Sequence, residues 1–378
     1  MNAKSIQVKT IEDLKSALQE SIEDGFAPTL AVVFASVVHD RSAISDLFTD
    51  YNVQIFGETT HGEFIDEDLQ KGSIAALLMD IDPYYFQIYL EEYPDQDFYG
   101  VSSSIASKAQ KQFKDPAFLV GISYAAADGE EILRGIKDVI GESANAFGGG
   151  AGDDYSFKET FVFTNGKESN NGMVLLALDQ QKIEVKGVAT CGWKAVGTEK
   201  TVTRSEGNHV YTIDGIPAVT ITAKYGGLDL TPENQDHLTD LAANFPLQLQ
   251  QEKGDPLMRP GLVVDWNDLS YYTSGSVPQG SKVRFSLPPD WDVVEKVIKG
   301  VEKLKATEMP EADAVVVFSC GGRILSFGPM MNAEIEGIKK VWDVPMVGMF
   351  SNAELGRYAG SSLEMHNLTT CTIALKEK

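Results

Sequence analysis

The chain has 378 residues, 43% hydrophobic and 23% charged, an ordinary balance for a folded protein and too long for one ordinary core. Its 55 acidic residues outnumber 32 basic ones, for a formal charge of -23. No Lys/Arg-rich run offsets that field, which argues against nucleic acid and anionic membrane as partners, since both need a basic patch.

Residues 1–17 mix Lys with Asp and Glu and hold no continuous apolar core of a signal peptide. No stretch reaches the ~18 apolar residues that span a bilayer. Cys191, Cys320 and Cys371 are odd in number and widely separated, without Cys-x-x-Cys or His/Cys zinc spacing. They read as buried free thiols of a reducing cytoplasm, and the chain calls for neither a metal nor a cofactor.

Ile11, Leu14, Leu18 and Ile22 share one helical face, and Gly25 ends that run. Residues 30–36 form a continuous apolar strand, buried on both faces. A short helix through Ala43, Ile44 and Leu47 leads to a strand at 53–56. The polar turn Gly57-Glu58-Thr59-Thr60-His61-Gly62-Glu63 and an apolar strand at 73–79 follow. A second pass has a strand at 117–122 and a helix at 130–145, with Ile132, Leu133, Ile136, Val139 and Ile140 on its apolar side. The turn Gly148-Gly149-Gly150-Ala151-Gly152-Asp153-Asp154 and a strand at 172–178 complete it.

The texture then changes. Segments 185–196, 201–205 and 209–213 are short, Gly-punctuated and rich in Val and Thr, which predicts antiparallel sheet. The boundary falls near 206–215, giving domains 1–210 and 211–378. A helix is predicted over 232–245 with Thr231 as N-cap, 248–254 is a surface loop, and 265–272 joins two strands. Residues 283–287 form a strand stopped by Pro288-Pro289. Asp290 caps a helix over 291–304 with Val294, Val297, Ile298, Val301 and Leu304 on one face.

A third pass runs from a strand at 314–318 through a helix at 332–341 and a short apolar run at 345–347. It ends with the turn Gly348-Met349-Phe350-Ser351-Asn352-Ala353-Glu354-Leu355-Gly356 and a strand at 369–375. Strand, helix, glycine turn, polar excursion and apolar strand thus recur three times. The pattern predicts an α/β fold of two domains with mixed sheets, containing three related strand-helix-glycine-turn-strand units.

Glycine-bounded polar turns at strand exits bring backbone N–H groups and carboxylates close to a small solute. The candidate ligand-binding residues therefore include Glu58, Thr59 and His61 from the first turn, Gly149 and Gly150 from the second, and Asn352 and Glu354 from the third. The structural alternatives are glutamates that tie down backbone N–H groups and a solvent-facing histidine. The 148–152 run lacks both the Gly-Lys-Ser/Thr ending and the Gly-x-Gly-x-x-Gly spacing of nucleotide loops. Asp128, Asp153 and Asp154 lack EF-hand spacing.

Ser319-Cys320-Gly321-Gly322-Arg323 follows the 314–318 strand directly. Cys320 is either a packed small residue or a nucleophile served by His366, with Glu354 or Asp265 orienting the base. Arg323 either clamps a ligand carboxylate through two parallel hydrogen bonds or pairs with Glu354 or another acid. With Glu354 or Glu58 receiving an amine, such a clamp suits a zwitterion. His366 and Asn367, before the last strand, either orient a turn or offer neutral donors and acceptors to a ligand.

These motifs resemble the FIST family, with its paired N- and C-terminal domains. The resemblance spans about residues 25 to 375. It rests on the first turn, on Phe147-Gly148-Gly149-Gly150-Ala151 leading to Asn165-Gly166-Lys167, and on Cys191-Gly192-Trp193 followed by Ile213-Asp214-Gly215-Ile216-Pro217-Ala218. Phe318-Ser319-Cys320-Gly321-Gly322-Arg323, Val344-Pro345-Met346-Val347-Gly348, Glu354-Leu355-Gly356 and His366-Asn367-Leu368-Thr369-Thr370 carry its later part. The family's Tyr-Gly-Glu turn is replaced here by Ser351-Asn352-Ala353-Glu354. The resemblance implies a sensory module for small ligands such as amino acids, acting through a separate signalling protein. A hydrolase using Cys320 or a carboxylate site around Glu354, and a structural interaction protein, are the competing readings.

Overall fold

A computed structural model describes residues 1–123, 127–228, 230–234, 237–252 and 254–378. Its first unit comprises β1 (Ala3–Val8), α1 (Ile11–Ile22), β2 (Leu30–Ser36), α2 (Arg41–Asp50) and β3 (Gln54–Thr60). The hairpin β4 (Glu63–Ile65) and β5 (Asp68–Gln70) and the return strand β6 (Ile74–Met79) complete it. The second repeats that order with β7 (Phe86–Glu92), α3 (Phe98–Gln112), β8 (Pro116–Ile122), α4 (Gly129–Ile140) and β9 (Asn145–Gly150). Its hairpin is β10 (Val162–Thr164) and β11 (Lys167–Ser169), and its return strand β12 (Gly172–Asp179).

The third unit opens with β13 (Ile183–Thr190) and is then interrupted by an inserted antiparallel sheet. That insertion holds β14 (Ala195–Glu206), β15 (His209–Ile213), β16 (Ile216–Pro217), α5 (Ala218–Gly226), α6 (His237–Asn244), β17 (Leu247–Leu249), β18 (Leu257–Arg259), β19 (Gly261–Asp265), β20 (Ser270–Thr273) and β21 (Lys282–Ser286). The unit resumes with α7 (Trp291–Thr307), β22 (Ala314–Cys320), α8 (Gly321–Phe327), α9 (Met330–Trp342) and β23 (Met346–Ser351). The hairpin β24 (Glu354–Gly356) and β25 (Glu364–His366) and the return strand β26 (Thr370–Glu377) close it.

Each unit makes the same sheet. The parallel pair is β2/β3, β8/β9 or β22/β23, and the return strand lies antiparallel to the first member of the pair. The unit's opening strand covers the far side of the return strand. No unit, however, keeps its own hairpin. The first unit's β4–β5 extends the third unit's sheet, the third unit's β24–β25 extends the second's, and β10–β11 extends the first's. Each hairpin so covers what would be an open strand edge on its neighbour.

The continuous apolar strands follow from burial on both faces. Leu30, Val32 and Phe34 meet Leu119, Val316 and Phe318 in a shared centre, while Ala31, Val33 and Ala35 pack under α1 and α2. Phe34 and Phe318 touch edge to face with centroids 5.4 Å apart. The helices pair outside the sheets as α1 with α2, α3 with α4 and α7 with α9. Thr10, Asp40, Asp97, Asp128 and Asp290 cap helix N-termini through their side chains.

Several local expectations are corrected. The glycine turns are strand ends: β3 runs to Thr60, β9 to Gly150 and β23 to Ser351. Their glycines admit the neighbour's hairpin, because a Cβ on Gly57 would stand 2.4 Å from the Phe163 ring and one on Gly348 2.0 Å from Phe64. Segment 185–196 does not join the antiparallel insertion; β13 pairs with β26 as part of the third unit. The 248–254 loop begins inside β17, where Gln248 is buried and bonds Trp193 O and Ser286 Oγ. The helix expected over 232–245 is a 3₁₀ turn, Pro232–Asn234, followed by α6, with residues 235 and 236 outside the described ones. A divide at 210/211 falls inside β15, and the third sheet draws strands from both sides of it.

Gly348→Ala should test the hairpin exchange, because the added methyl has to displace the Phe64 ring seated from another unit. We expect a loss of about 1–3 kcal/mol in urea unfolding. Gly166, with nothing near its would-be Cβ but a φ of 69°, should lose stability through backbone strain alone.

Candidate functional site

The three strand ends meet and bond to one another in a closed cycle. His61 N donates to Phe350 O at 3.0 Å, Asn352 N to Gly150 O at 2.9 Å, and Gly152 N to Thr59 O at 2.7 Å. Strand registers make Thr59, Gly150 and Phe350 equivalent positions, as they do Glu58, Gly149 and Met349. The N–H groups of Thr59, Gly150 and Phe350 in turn donate to Phe161, Ala353 and Gly62, the residues that lead into the exchanged hairpins. A side chain on Gly152 would stand 2.6 Å from His61 N, and one on Gly149 2.9 Å from Phe318, so both glycines serve close approach.

Side chains fasten the ring further. Tyr155 N donates to His61 Nδ1 at 3.0 Å, which leaves the ring proton on Nε2 to reach Asn352 Oδ1 at 2.8 Å. Asn352 Nδ2 then donates to Ala151 O, joining all three units through one amide. Tyr155 stacks on His61 at 4.2 Å and donates its hydroxyl to Gly321 O. Burial lowers the His61 pKa, so its imidazole is held neutral. His61 is buried and Asn352 exposed, which puts the amide at the solvent edge of the ring.

Two glutamates sit at matching places in this frame. Glu63 accepts from the Thr60 hydroxyl on one oxygen and from Ser73 N (3.1 Å) and Oγ (2.7 Å) on the other. Glu354 accepts from Ser351 Oγ at 2.8 Å and from Thr369 N at 3.3 Å. The equivalent of Glu354 is therefore Glu63, not Glu58. That match was readable in the sequence, since Gly57 to Glu63 and Gly348 to Glu354 have the same spacing. Burial raises both carboxyls, Glu63 to about 7. Ser351 Oγ also lies 3.1 Å from Ser319 O, so the carbonyl and Glu354 compete for its one hydroxyl proton.

Glu58 is different. It is wholly buried on β3, its carboxylate lies against the Cα of Gly121, and neither oxygen has a hydrogen-bond partner among the described residues. Burial pushes its pKa well up; the Ile122 N–H is near enough to oppose that rise in part, but not in the geometry of a hydrogen bond. Burial first, and Glu58 nearby second, push up the pKa of Tyr93, whose hydroxyl also has no partner among the described residues. Tyr93 and Asn171 gave no motif in the sequence; only the pairing of β7 with β12 brings them together.

Arg323 does not approach a ligand space. In α8 it is wholly buried, bonded to Glu334 and to the carbonyls of Cys191 (2.9 Å) and Leu368 (3.0 Å), against Trp193 and Phe327. Glu334 has its second oxygen on Thr370 Oγ1 at 2.7 Å. The Arg323–Glu354 zwitterion clamp is thus replaced by an Arg323–Glu334 pair. Sequence reasoning missed Glu334 because it reads as the polar face of an amphipathic helix.

Cys320 ends β22, and its thiol is pushed up by burial and by Glu354 beside it, the reverse of what a nucleophile needs. His366 bonds Gly356 O through Nε2 at 3.1 Å, and its Nδ1 has no partner among the described residues, so it does not serve Cys320. Burial lowers it to about 3. Asn367 is buried beside Arg259, whose guanidinium pairs with Glu130 at 2.8 Å.

The fold and its ring define an α/β protein whose two sequence halves interdigitate. The chain belongs to the FIST family: residues 29–216 match the FIST N domain and residues 221–357 the FIST C domain. The two matches split the third unit, leaving β13 with the first and β22 to β23 with the second. FIST domains are described as small-ligand sensory domains of signal transduction. No curated protein matches the chain. No helix among the described residues is long and apolar enough to cross a membrane.

Two outcomes follow from the buried charges. Arg323→Ala should destabilise by about 3–5 kcal/mol in urea titrations, because Glu334 is left buried and unpaired. Arg323→Met with Glu334→Leu should recover most of that loss. Glu63 has a folded pKa above its unfolded value of 4.5, so its contribution is full below that value and falls as pH rises towards about 7. Thermal unfolding across that window should show a decline of up to about 3 kcal/mol that Glu63→Gln flattens.

Proposed function

We propose that this protein is a cytoplasmic small-ligand sensor that reports through a separate signalling protein, with amine-bearing solutes, amino acids among them, as its ligands. The observation that carries the proposal is the Glu58 carboxylate: buried, without a hydrogen-bond donor among the described residues, and one residue before the ring at Thr59. An unpaired buried carboxylate is costly to the fold, and a ligand that supplies donors to it relieves that cost. Because Thr59 O closes the ring with Gly152, a ligand at Glu58 also bears on contacts between units.

Signalling needs unequal affinity for two arrangements of the chain. A ring made of three separate strand ends supplies a place where such arrangements differ. Among the proposed contacts, Glu58 and Thr59 lie nearest the ligand; His61, Gly149, Gly150, Asn352 and Glu354 transmit its presence. Cys320, Arg323, His366 and Asn367 then hold the third unit in place. The hydrolase alternative is disfavoured by a thiol raised by burial and a histidine bonded elsewhere.

A thermal-shift screen of amino acids, amines, organic acids and nucleotides, confirmed by calorimetry, tests this reading. At least one class should stabilise the native protein in a concentration-dependent way. Glu58→Met should itself raise stability by about 1–3 kcal/mol and abolish the response. If no class shifts the native protein, or the variant responds equally, the sensory proposal fails.

A further inference from the structure

The chain's described residues leave four polar atoms of one neighbourhood without a partner: both Glu58 oxygens, the Tyr93 hydroxyl and Asn171 Oδ1. Tyr93 and Asn171 hold each other through the backbone, Tyr93 N to Asn171 O at 2.9 Å. Asn171 Nδ2 donates to Tyr93 O at 3.3 Å, which fixes the amide so that Oδ1 is left as an acceptor. Opposite Glu58, Gly121 makes room for that carboxyl alone, since a Cβ there would come within 2.5 Å of it. Buried polar groups are nearly always satisfied in folded proteins, so four together describe a cradle for something absent from the chain itself.

Tyr93 and Asn171 also line a surface cleft of about 300 Å³, together with Asp95, Gln96 and Asn170. That volume suits a small solute. By comparison, the apolar void between α5, α6 and β19 holds only about 10 Å³, too little for a ligand. Tyr93, 1% exposed and packed edge-on against Phe98 at 4.9 Å, lines the cleft and is also near enough to Glu58 to feel its charge.

The chemistry of the cradle selects its occupant. Glu58 and Asn171 offer three acceptors, Tyr93 adds a group that accepts or donates, and the one charged residue lining the cleft among those described is Asp95. No lysine or arginine lines it to meet a carboxylate, and Arg323 is spent on Glu334. We propose that this cleft binds a small aliphatic amine through its ammonium group, with Glu58 as counter-ion, and that it discriminates against the amino acid of the same chain length. The inference rests on the sensory reading above and narrows its ligand: an ammonium brings donors and a positive charge to unpartnered acceptors, whereas a ligand carboxylate would face Asp95 unpaired.

The test is calorimetry with butylamine, 1,4-diaminobutane and norvaline on the full chain. Either amine should bind the native protein, norvaline at least about 10-fold more weakly, and Glu58→Gln should weaken the amine about 30-fold, a charge-assisted hydrogen bond's worth. Tyr93→Phe, which keeps the ring and removes only the hydroxyl, should weaken it several-fold and serves if the Glu58 variant does not fold. Norvaline binding as tightly as butylamine, or amine affinity unchanged in both variants, overturns the proposal. A different ligand class, found in the broader screen and indifferent to Glu58→Gln, would also overturn it while leaving a small-ligand sensor in place. Silence of every class would instead count against the sensory reading as well.

Discussion

Three backbone hydrogen bonds, His61 to Phe350, Asn352 to Gly150 and Gly152 to Thr59, close the strand ends of this protein on one another. Buried N–H and C=O groups require partners, and here each strand end finds its partner in a different unit. The same dependence governs the sheets, since each unit's edge is covered by a hairpin that another unit supplies. No unit can satisfy its own backbone alone. Folding of the three is therefore mutually conditional, although the sequence halves match two separate domains.

Repetition also shows where the units differ. At the position before the ring the three strands carry Glu58, Gly149 and Met349. Met349 joins the central core, Gly149 allows close packing, and only Glu58 brings an ionisable group into the interior. At the first hairpin position Glu63 and Glu354 are answered by hydroxyl and backbone donors, while the second unit has Val162 there. Structural acids of this protein are thus provided with donors. The contrast with Glu58 is what separates a site from a scaffold.

Much of this was legible in the sequence. The apolar run at 30–36, the Asp290-capped helix and the recurrence of strand, helix and glycine follow from local patterning, and the polar strand ends were recognisable as special. What local patterning lacks is partnership. Nothing in Phe64 says that it lies over Gly348, and nothing in Arg323 names Glu334 over Glu354. The strands were read too short because glycine and Thr signal turns, whereas here glycine makes room for an aromatic ring within a strand. Tyr93 and Asn171 carried no motif because their significance is an absence of partners, which only packing reveals.

The interlocking of the three units is tested most directly by native-state hydrogen exchange at the amides of His61, Gly152 and Asn352. If the ring binds the units into one cooperative body, all three should exchange only through global unfolding, with the same opening free energy as the central strands. Exchange of one amide through a local opening far below that free energy, with the other two still protected, would contradict a ring that stands or falls as a whole.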